Sequence, residues 1–93
     1  MNMYTLVWTT GFTHAAKKFT EQHSELRSKF STILLDLEHD PFQPHLKYHH
    51  LSGKLKGIQA VSLTHSFRIT LTVMITETEI ILLDIGSHDE VYR

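Results

Sequence analysis

The spacing of apolar residues changes from strand-like to helical and back along the chain. Residues 3–8, MYTLVW, have the composition of a short strand. Between residues 12 and 23, apolar or aromatic side chains recur every three or four positions, with charged and amide side chains between them. This period predicts an amphipathic helix, with Thr10 or Thr13 as its N-cap.

A second helical stripe follows directly. Ser24 is placed to cap this helix, and Pro41 ends it because a proline pushes the preceding residue, Asp40, out of helical geometry. The short connection at Ser24 predicts an antiparallel helical hairpin. The apolar positions of the stripe are Leu26, Phe30, Ile33, Leu34 and Leu37.

Three strand-like runs follow a loop at 41–57, which holds both prolines and has room for a short strand at its end. The runs are residues 59–64, 67–75 and 79–85, and the polar turns between them predict two hairpins. The last run contains IILLDI, a nearly continuous apolar sequence that is typical of a central strand.

Alternation within the run 67–75 separates its side chains into two faces. One set should pack under the helices, and the other should face the opposite side of the sheet. We therefore predict an α+β fold of order β-α-α-β-β-β, with a helical hairpin packed on a mostly antiparallel sheet. The open face and the loop 41–57 remain for a site. The two sets are Phe67, Ile69, Leu71 and Val73 on the helix side, and Arg68, Thr70 and Thr72 on the open side.

The composition predicts one domain spanning residues 1–93. Hydrophobic residues make up 41% and charged residues 20%, as in ordinary globular proteins. The absence of cysteine excludes disulfides and thiolate metal sites. We find neither a signal-peptide pattern nor an apolar run of the ~20 residues that span a bilayer. These features favour a cytoplasmic protein with no membrane partner.

Charge is distributed unevenly along the chain. Nine Lys and Arg residues stand against ten Asp and Glu, for a formal net charge of −1. A general nucleic-acid binder is usually basic as a whole. The segment 45–57, HLKYHHLSGKLKG, nevertheless holds three lysines and three histidines and no acid. Such a strip can contact a few phosphates without giving strong non-specific binding.

Two short motifs in the second half of the chain carry a family resemblance. The motifs are LSGKLKG in the loop and DIGSHDEVYR at the end, with SFRI between them. With the order of elements, they resemble the RelE/ParE superfamily of bacterial toxins, and the YafQ-like mRNA endonucleases in particular. The resemblance implies catalytic roles for His49 or His50, just before the LSGKLKG motif, and for His88 and Tyr92 after the last strand.

The chain departs from this family on the strands that follow the loop. The family uses a histidine or basic residue and an acid there, whereas the matching positions here fall near Ser62 and Ser66. His65 and Arg68 are the nearest titratable residues. We therefore place them, with Lys54 and Lys56, among the candidate RNA- or phosphate-binding groups.

The chemistry implied by the resemblance requires no metal and no cofactor. The RNA 2′-hydroxyl attacks the adjacent phosphorus, and the 5′-oxygen leaves. A base, an acid and cations that stabilise the phosphoryl charge are then required. Histidine suits the first two roles because its unperturbed pKa of ~6.5 lies near neutral pH. The implied partners are mRNA on the ribosome and a cognate antitoxin protein.

Other interpretations of the same residues remain open at this stage. A ParE-like toxin would bind DNA gyrase without nuclease chemistry, and an inactive member would only bind its antitoxin. His49 and His50 invite a metal interpretation, but neighbours on an extended chain point to opposite sides. Arg68 has an alternative role as an internal ion-pair partner of Asp84 or Glu79.

Overall fold

The computed structural model describes residues 3–91, except for the side chain of Glu90. Its helices and strands follow the predicted order, with a short helix added after the last strand. The short strand allowed at the end of the loop 41–57 lies near its middle instead. In chain order the helices and strands are β1 (Thr5–Trp8), α1 (Thr10–Gln22), α2 (Arg27–His39), β2 (His49–His50), β3 (Gln59–Ser62), β4 (Phe67–Met74), β5 (Glu79–Ser87) and α3 (His88–Val91).

The strands form one sheet in the order β1-β5-β4-β3-β2. The pairs from β2 to β5 are antiparallel, and β1 runs parallel to β5. The prediction of a mostly antiparallel sheet is confirmed. β5 has a neighbour on each side, as its continuous apolar sequence predicted.

The cap of α1 differs from the prediction. Thr9, rather than Thr10 or Thr13, is the N-cap, and its hydroxyl oxygen accepts a hydrogen bond from the Phe12 amide at 3.1 Å. The same hydroxyl donates to the Leu82 carbonyl at 2.7 Å. Thr9 therefore satisfies a helix N–H and joins the start of the helix to the central strand. The sequence shows three possible threonines but not this second contact.

The two helices are joined by a single 3-10 turn, Ser24–Leu26. This turn delays the start of α2 to Arg27, so Ser24 begins the turn rather than capping the α-helix. At the other end, Asp40 is extended, with φ −167° and ψ 111°, as expected for a residue before proline.

Both helices contribute to one hydrophobic core on one face of the sheet. α1 lies over β5, and α2 lies beside β1. Phe30, Ile33 and Leu37 of the predicted stripe are buried, while Leu26 and Leu34 are partly buried at its margin. The predicted helix-side residues of β4 join the same core, which confirms the packing prediction; they are Phe67, Ile69, Leu71 and Val73.

A β-bulge changes the phase of β5. Thr70 of β4 pairs with Asp84, but the next residue of β4 pairs with Leu82, so Leu83 is an extra residue. Leu82 is buried before the bulge, and Ile85, rather than Asp84, is buried after it. The extra residue explains why an apolar side chain occupies the core on each side of the bulge.

Candidate functional site

A groove of about 490 Å³ collects most of the residues named from the sequence. It lies where the loop, β4 and the start of α3 meet. Arg68 reaches it from the face of β4 opposite the helices, because its strand neighbours pack into the core. The lining residues are His49, His50, Leu51, Ser52, Lys54, Leu55, Arg68 and His88.

His49 lies on the open face of the sheet. It pairs with Ala60, and directly paired residues of antiparallel strands share a face. Ser62 is two residues further along β3 and pairs with Arg68. The register therefore places His49 on the same face as Arg68.

A backbone carbonyl orients the His49 ring. His49 Nδ1 lies 2.8 Å from the oxygen of Lys47. A carbonyl only accepts hydrogen bonds, so Nδ1 carries the hydrogen in this contact. In the neutral ring, Nε2 then carries the lone pair, as a general base requires.

The carbonyl of Lys47 owes its position to an uncommon backbone conformation. Lys47 has φ 52° and ψ 44°, in the left-handed region, at the end of the 3-10 turn Pro44–Leu46. Leu46 anchors this turn because its side chain is fully buried in the core. The loop is therefore fixed immediately before His49.

His50 faces the other way. It pairs with Gln59, and its Nδ1 lies 3.4 Å from the Gln59 amide nitrogen. Its ring packs edge-on against Tyr48, with centroids 5.6 Å apart. Both imidazoles line the groove, but His49 faces the Arg68 side and His50 the Tyr48 side. The expectation that the two neighbours point apart agrees with this register.

Arg68 lies between the groove and a smaller adjoining cavity of about 130 Å³. Lys47, His49, Ser62 and His65 line that cavity with it. The Ser62 hydroxyl donates to the Thr64 carbonyl at 3.0 Å. His65 lies in the exposed turn between β3 and β4, so it borders the smaller cavity rather than the main groove.

Glu79 and Asp84, the two carboxylates considered as ion-pair partners of Arg68, have other neighbours. Glu79 pairs with Met74, six residues further along β4. At ~3.4 Å per residue, that separation is about 20 Å, so the Arg68–Glu79 pairing is wrong. The carboxylate of Asp84 accepts a hydrogen bond from the Ile85 amide at 2.8 Å.

The two lysines of the loop have different positions. Lys54 lies in a 3-10 turn, Gly53–Leu55, and lines the groove. Gly53 and Gly57 flank Lys54 and Lys56 with φ of +65° and +94°, which a residue with a Cβ rarely adopts. Lys56 is exposed and does not line the groove. Of the two, only Lys54 is placed to meet a phosphate in the groove.

His88 completes the described part of the site. It is the first residue of α3 and follows β5 directly, where Ser87 pairs with Phe67. Its side chain is 61% exposed, and its Nδ1 lies 3.8 Å from an Asp89 carboxylate oxygen. Tyr92, the remaining candidate, falls outside the described residues.

Two polar contributors to the site were missed from the sequence. Gln59 is buried, and it bonds to His50 and accepts from the Thr72 hydroxyl at 3.4 Å. Burial, and then the nearby Tyr4, raise the pKa of the Tyr48 phenol above its ordinary value of 10.0. A glutamine within an otherwise apolar strand was the available signal for Gln59. Nothing in the sequence distinguished Tyr48 from an ordinary loop tyrosine.

Among residues 3–91, no group of three or more histidine, aspartate or glutamate side chains is placed to hold a metal ion. Over the same residues, no helix has both the length and the apolar character needed to cross a membrane. His45 and Asp36 form a separate contact outside the groove, with Nε2 and Oδ2 2.8 Å apart.

Structural comparison identifies the fold. YafQ from E. coli superposes with a TM-score of 0.73 at 14% identity, covering 97% of this chain and 99% of YafQ. A copper-bound mutant toxin from Helicobacter pylori gives 0.73 at 25% identity, covering 96% and 99%. This is the fold of the RelE/ParE toxins. The fold implied by the resemblance to that superfamily and its YafQ-like members is confirmed.

YafQ has also been solved in a toxin–antitoxin complex. The DinJ–YafQ toxin–antitoxin complex from E. coli matches with a TM-score of 0.70 at 14% identity, covering 98% of this chain and 99% of that chain. No protein-family model matches the sequence, and no curated protein matches it significantly. The similarity to the RelE/ParE toxins is therefore detected by comparing three-dimensional structures and not by comparing sequences.

Proposed function

We propose that the protein is the toxin of a bacterial type II toxin–antitoxin system and cleaves mRNA on the ribosome. The supporting observation is the groove that joins His49 and His88 to Lys54 and Arg68. These side chains come from three separate segments, so the fold assembles a site that no single motif contains. The fold shared with YafQ supports a toxin, and the groove supports the nuclease chemistry.

In the proposed reaction, His49 acts as the base and His88 as the acid. Nε2 of His49 takes the proton of the RNA 2′-hydroxyl, and the 2′-oxygen forms a bond to the adjacent phosphorus. The bond from phosphorus to the 5′-oxygen breaks, and protonated His88 gives its proton to that oxygen. The products are a 2′,3′-cyclic phosphate and a 5′-hydroxyl.

Cations are needed because negative charge accumulates on the phosphoryl oxygens during the attack. Lys54 and Arg68 line the groove together with both histidines and would supply this charge. Arg68 can donate two parallel hydrogen bonds to one phosphate, which also fixes its orientation. His65 and Lys56 lie outside the main groove, so we assign them contacts to the flanking RNA. Tyr92 keeps its proposed catalytic role.

An antitoxin would neutralise this site by covering its basic groups. We propose that an acidic or amphipathic segment of the antitoxin wraps the chain near Lys54, Lys56 and Arg68. The solved DinJ–YafQ complex supports a partner of this kind. Since the substrate is mRNA under translation, the proposed place of action is the cytoplasm.

Ser62 and Ser66 stand near the strand positions where the RelE/ParE family has titratable residues. This departure favours a second candidate function. Ser62 bonds to the backbone and offers no titratable group next to Arg68. An inactive member, which only binds its antitoxin, would tolerate this arrangement. A gyrase-binding toxin would tolerate it too, since the fold does not determine the target.

One experiment separates these functions. The protein is added to ribosomes programmed with a defined mRNA, and RNA ends are mapped and chemically typed. The proposal predicts new ends within the programmed mRNA and a 2′,3′-cyclic phosphate on the upstream product. Intact mRNA would contradict the nuclease proposal. Parallel inhibition of gyrase supercoiling would then identify the ParE-like function, and absence of both activities would identify the inactive member.

A further inference from the structure

Three aromatic rings lead away from the groove at the β2 edge of the sheet. The ring of His50 lies against Tyr48 with centroids 5.6 Å apart, and Tyr48 lies against Phe42 at 4.9 Å. Both contacts are edge-to-face, with interplanar angles of 81°. We call Phe42, Tyr48 and His50 the aromatic row. Its inner end lines the groove, and its outer end reaches solvent.

The row is held firmly although its outer ring is exposed. Tyr48 is partly buried against the hydrophobic core, so it supports the rings on either side. Phe42 is 46% exposed, but its backbone is fixed by the buried Pro41 before it and by its amide, which donates to an Asp40 carboxylate at 2.9 Å. A large apolar ring is thus presented to solvent at a defined place.

The local charges are compatible with an RNA strand. The segment 45–57 carries only basic charges, and Lys47 on it is exposed. Three acids, Asp36, Glu38 and Asp40, lie at the adjoining helix end. Asp40 accepts the Phe42 amide, and Asp36 contacts His45 at 2.8 Å. Two of these acids therefore already have a hydrogen-bonding partner.

Proteins that bind single-stranded RNA combine a basic groove with aromatic rings on which unpaired bases stack. The aromatic row next to the groove has both parts of that arrangement. We propose that Phe42 and His50, supported by Tyr48, form a base-stacking subsite for the nucleotide beside the cleaved phosphate. The subsite rests on the proposed function, because the scissile phosphate in the groove determines which base it receives.

This subsite gives His50 a role different from that of its neighbour. His49 faces Arg68 and transfers a proton, whereas His50 contacts Tyr48 and Gln59 and holds a base. Stacking needs the flat ring and not the titratable proton. A phenylalanine at position 50 should therefore preserve the function of His50, although it would not replace His49.

The test uses ribosomes programmed with an mRNA that is 2′-deoxy at the cleaved nucleotide, so that the protein binds it without cutting. The fluorescent base 2-aminopurine is placed on either side of the cleaved bond, one position at a time, because stacking quenches its emission. Wild-type protein should quench one of the two positions. The Phe42→Ala and His50→Ala variants should each weaken binding about tenfold, since stacking contributes ~1–3 kcal/mol per base.

The controls separate stacking from folding and from general apolar contact. Phe42→Trp and His50→Phe keep a ring and should retain quenching, while Phe42→Leu keeps only apolar character and should lose it. Leu35→Ala removes an exposed side chain on α2, outside the groove, and should have no effect. Thermal unfolding of every variant confirms that each one folds.

Two outcomes would overturn the subsite. Quenching at neither position, or unchanged affinity for Phe42→Ala and His50→Ala, would show that no base stacks there. Cleavage of all-ribose mRNA, measured in parallel, tests the proposed function separately. If wild-type protein cleaves the all-ribose mRNA but Phe42→Ala binds as tightly as wild type, the subsite is contradicted and the proposed function is not. Quenching that depends on Phe42 without cleavage supports the subsite and contradicts the nuclease.

Discussion

At the scale of single residues, backbone contacts separate side chains that look equivalent in the sequence. His49 and His50 are adjacent, yet one is held by the Lys47 carbonyl and the other packs on Tyr48. His23, at the end of the helical stripe predicted between residues 12 and 23, is partly exposed and packs against Phe19 and Phe67, with ring centroids 4.7 and 4.6 Å away. That histidine closes the end of the core, so it is unsuitable as a neutral control.

The two groove histidines should respond oppositely to aromatic substitution. We predict that His49→Phe lowers mRNA cleavage by ~10²-fold or more, because it removes a general base. His50→Phe should keep cleavage within about threefold of wild type, since it retains a ring for stacking. His14→Ala is the matched control, because His14 is exposed on α1. Equal loss of cleavage in both phenylalanine variants, measured on programmed ribosomes, would contradict this division of roles.

At the scale of elements, non-local contacts determine where the helices and strands begin and end. α1 is capped by Thr9, which also reaches β5, and β5 pairs with β4 beyond the bulge at Leu83 as far as Ser87. This length matters for the site, because His88 follows directly. The groove therefore depends on the end of one strand meeting a loop that Leu46 anchors.

The capping threonine gives a stability test at this scale. Thr9→Ala should lower the free energy of unfolding by about 1–2 kcal/mol, because a helix N–H loses its cap. Thr9→Ser keeps the hydroxyl and should lose less. Thr10→Ala is the control, since Thr10 is exposed, and should change the free energy by less than about 0.5 kcal/mol. Urea unfolding followed by circular dichroism measures all three, and equal effects at Thr9 and Thr10 would refute the cap assignment.

At the scale of the whole molecule, the sequence predicts the elements better than it predicts their pairing. The apolar periods identify both helices and the three main strands because burial of one face leaves a local pattern. The parallel β1–β5 pair and the bulge at Leu83 arise from contacts between distant segments, so no local pattern reports them. For the same reason, the sequence names His49, His88 and Arg68 but does not show which imidazole faces the guanidinium.

The uneven charge of the molecule predicts how it would associate with the proposed antitoxin. Basic residues of the loop and Arg68 lie together on a chain of net charge −1. Association with an acidic antitoxin segment should therefore slow as salt is raised, because screening removes electrostatic steering. A Lys54→Ala, Lys56→Ala double variant should associate more slowly and show a weaker salt dependence. Stopped-flow association rates with the cognate antitoxin check this, and salt-independent association would contradict it.

The central claim is that His49 and His88 divide proton transfer between attack and departure. It is tested with programmed mRNA in which sulfur replaces the bridging 5′-oxygen at the cleaved bond. A thiolate leaves without protonation, so it makes a general acid unnecessary. On the oxygen substrate, His49→Ala and His88→Ala should each lose ~10²-fold or more.

Single-turnover cleavage of the sulfur substrate then distinguishes the general acid from the general base. We predict that His88→Ala recovers to within about tenfold of wild type, because only the acid has become dispensable, while His49→Ala stays impaired. The same deficit for both variants on both substrates would contradict the division of roles. Undiminished cleavage of the oxygen substrate by both variants would contradict the histidine mechanism itself.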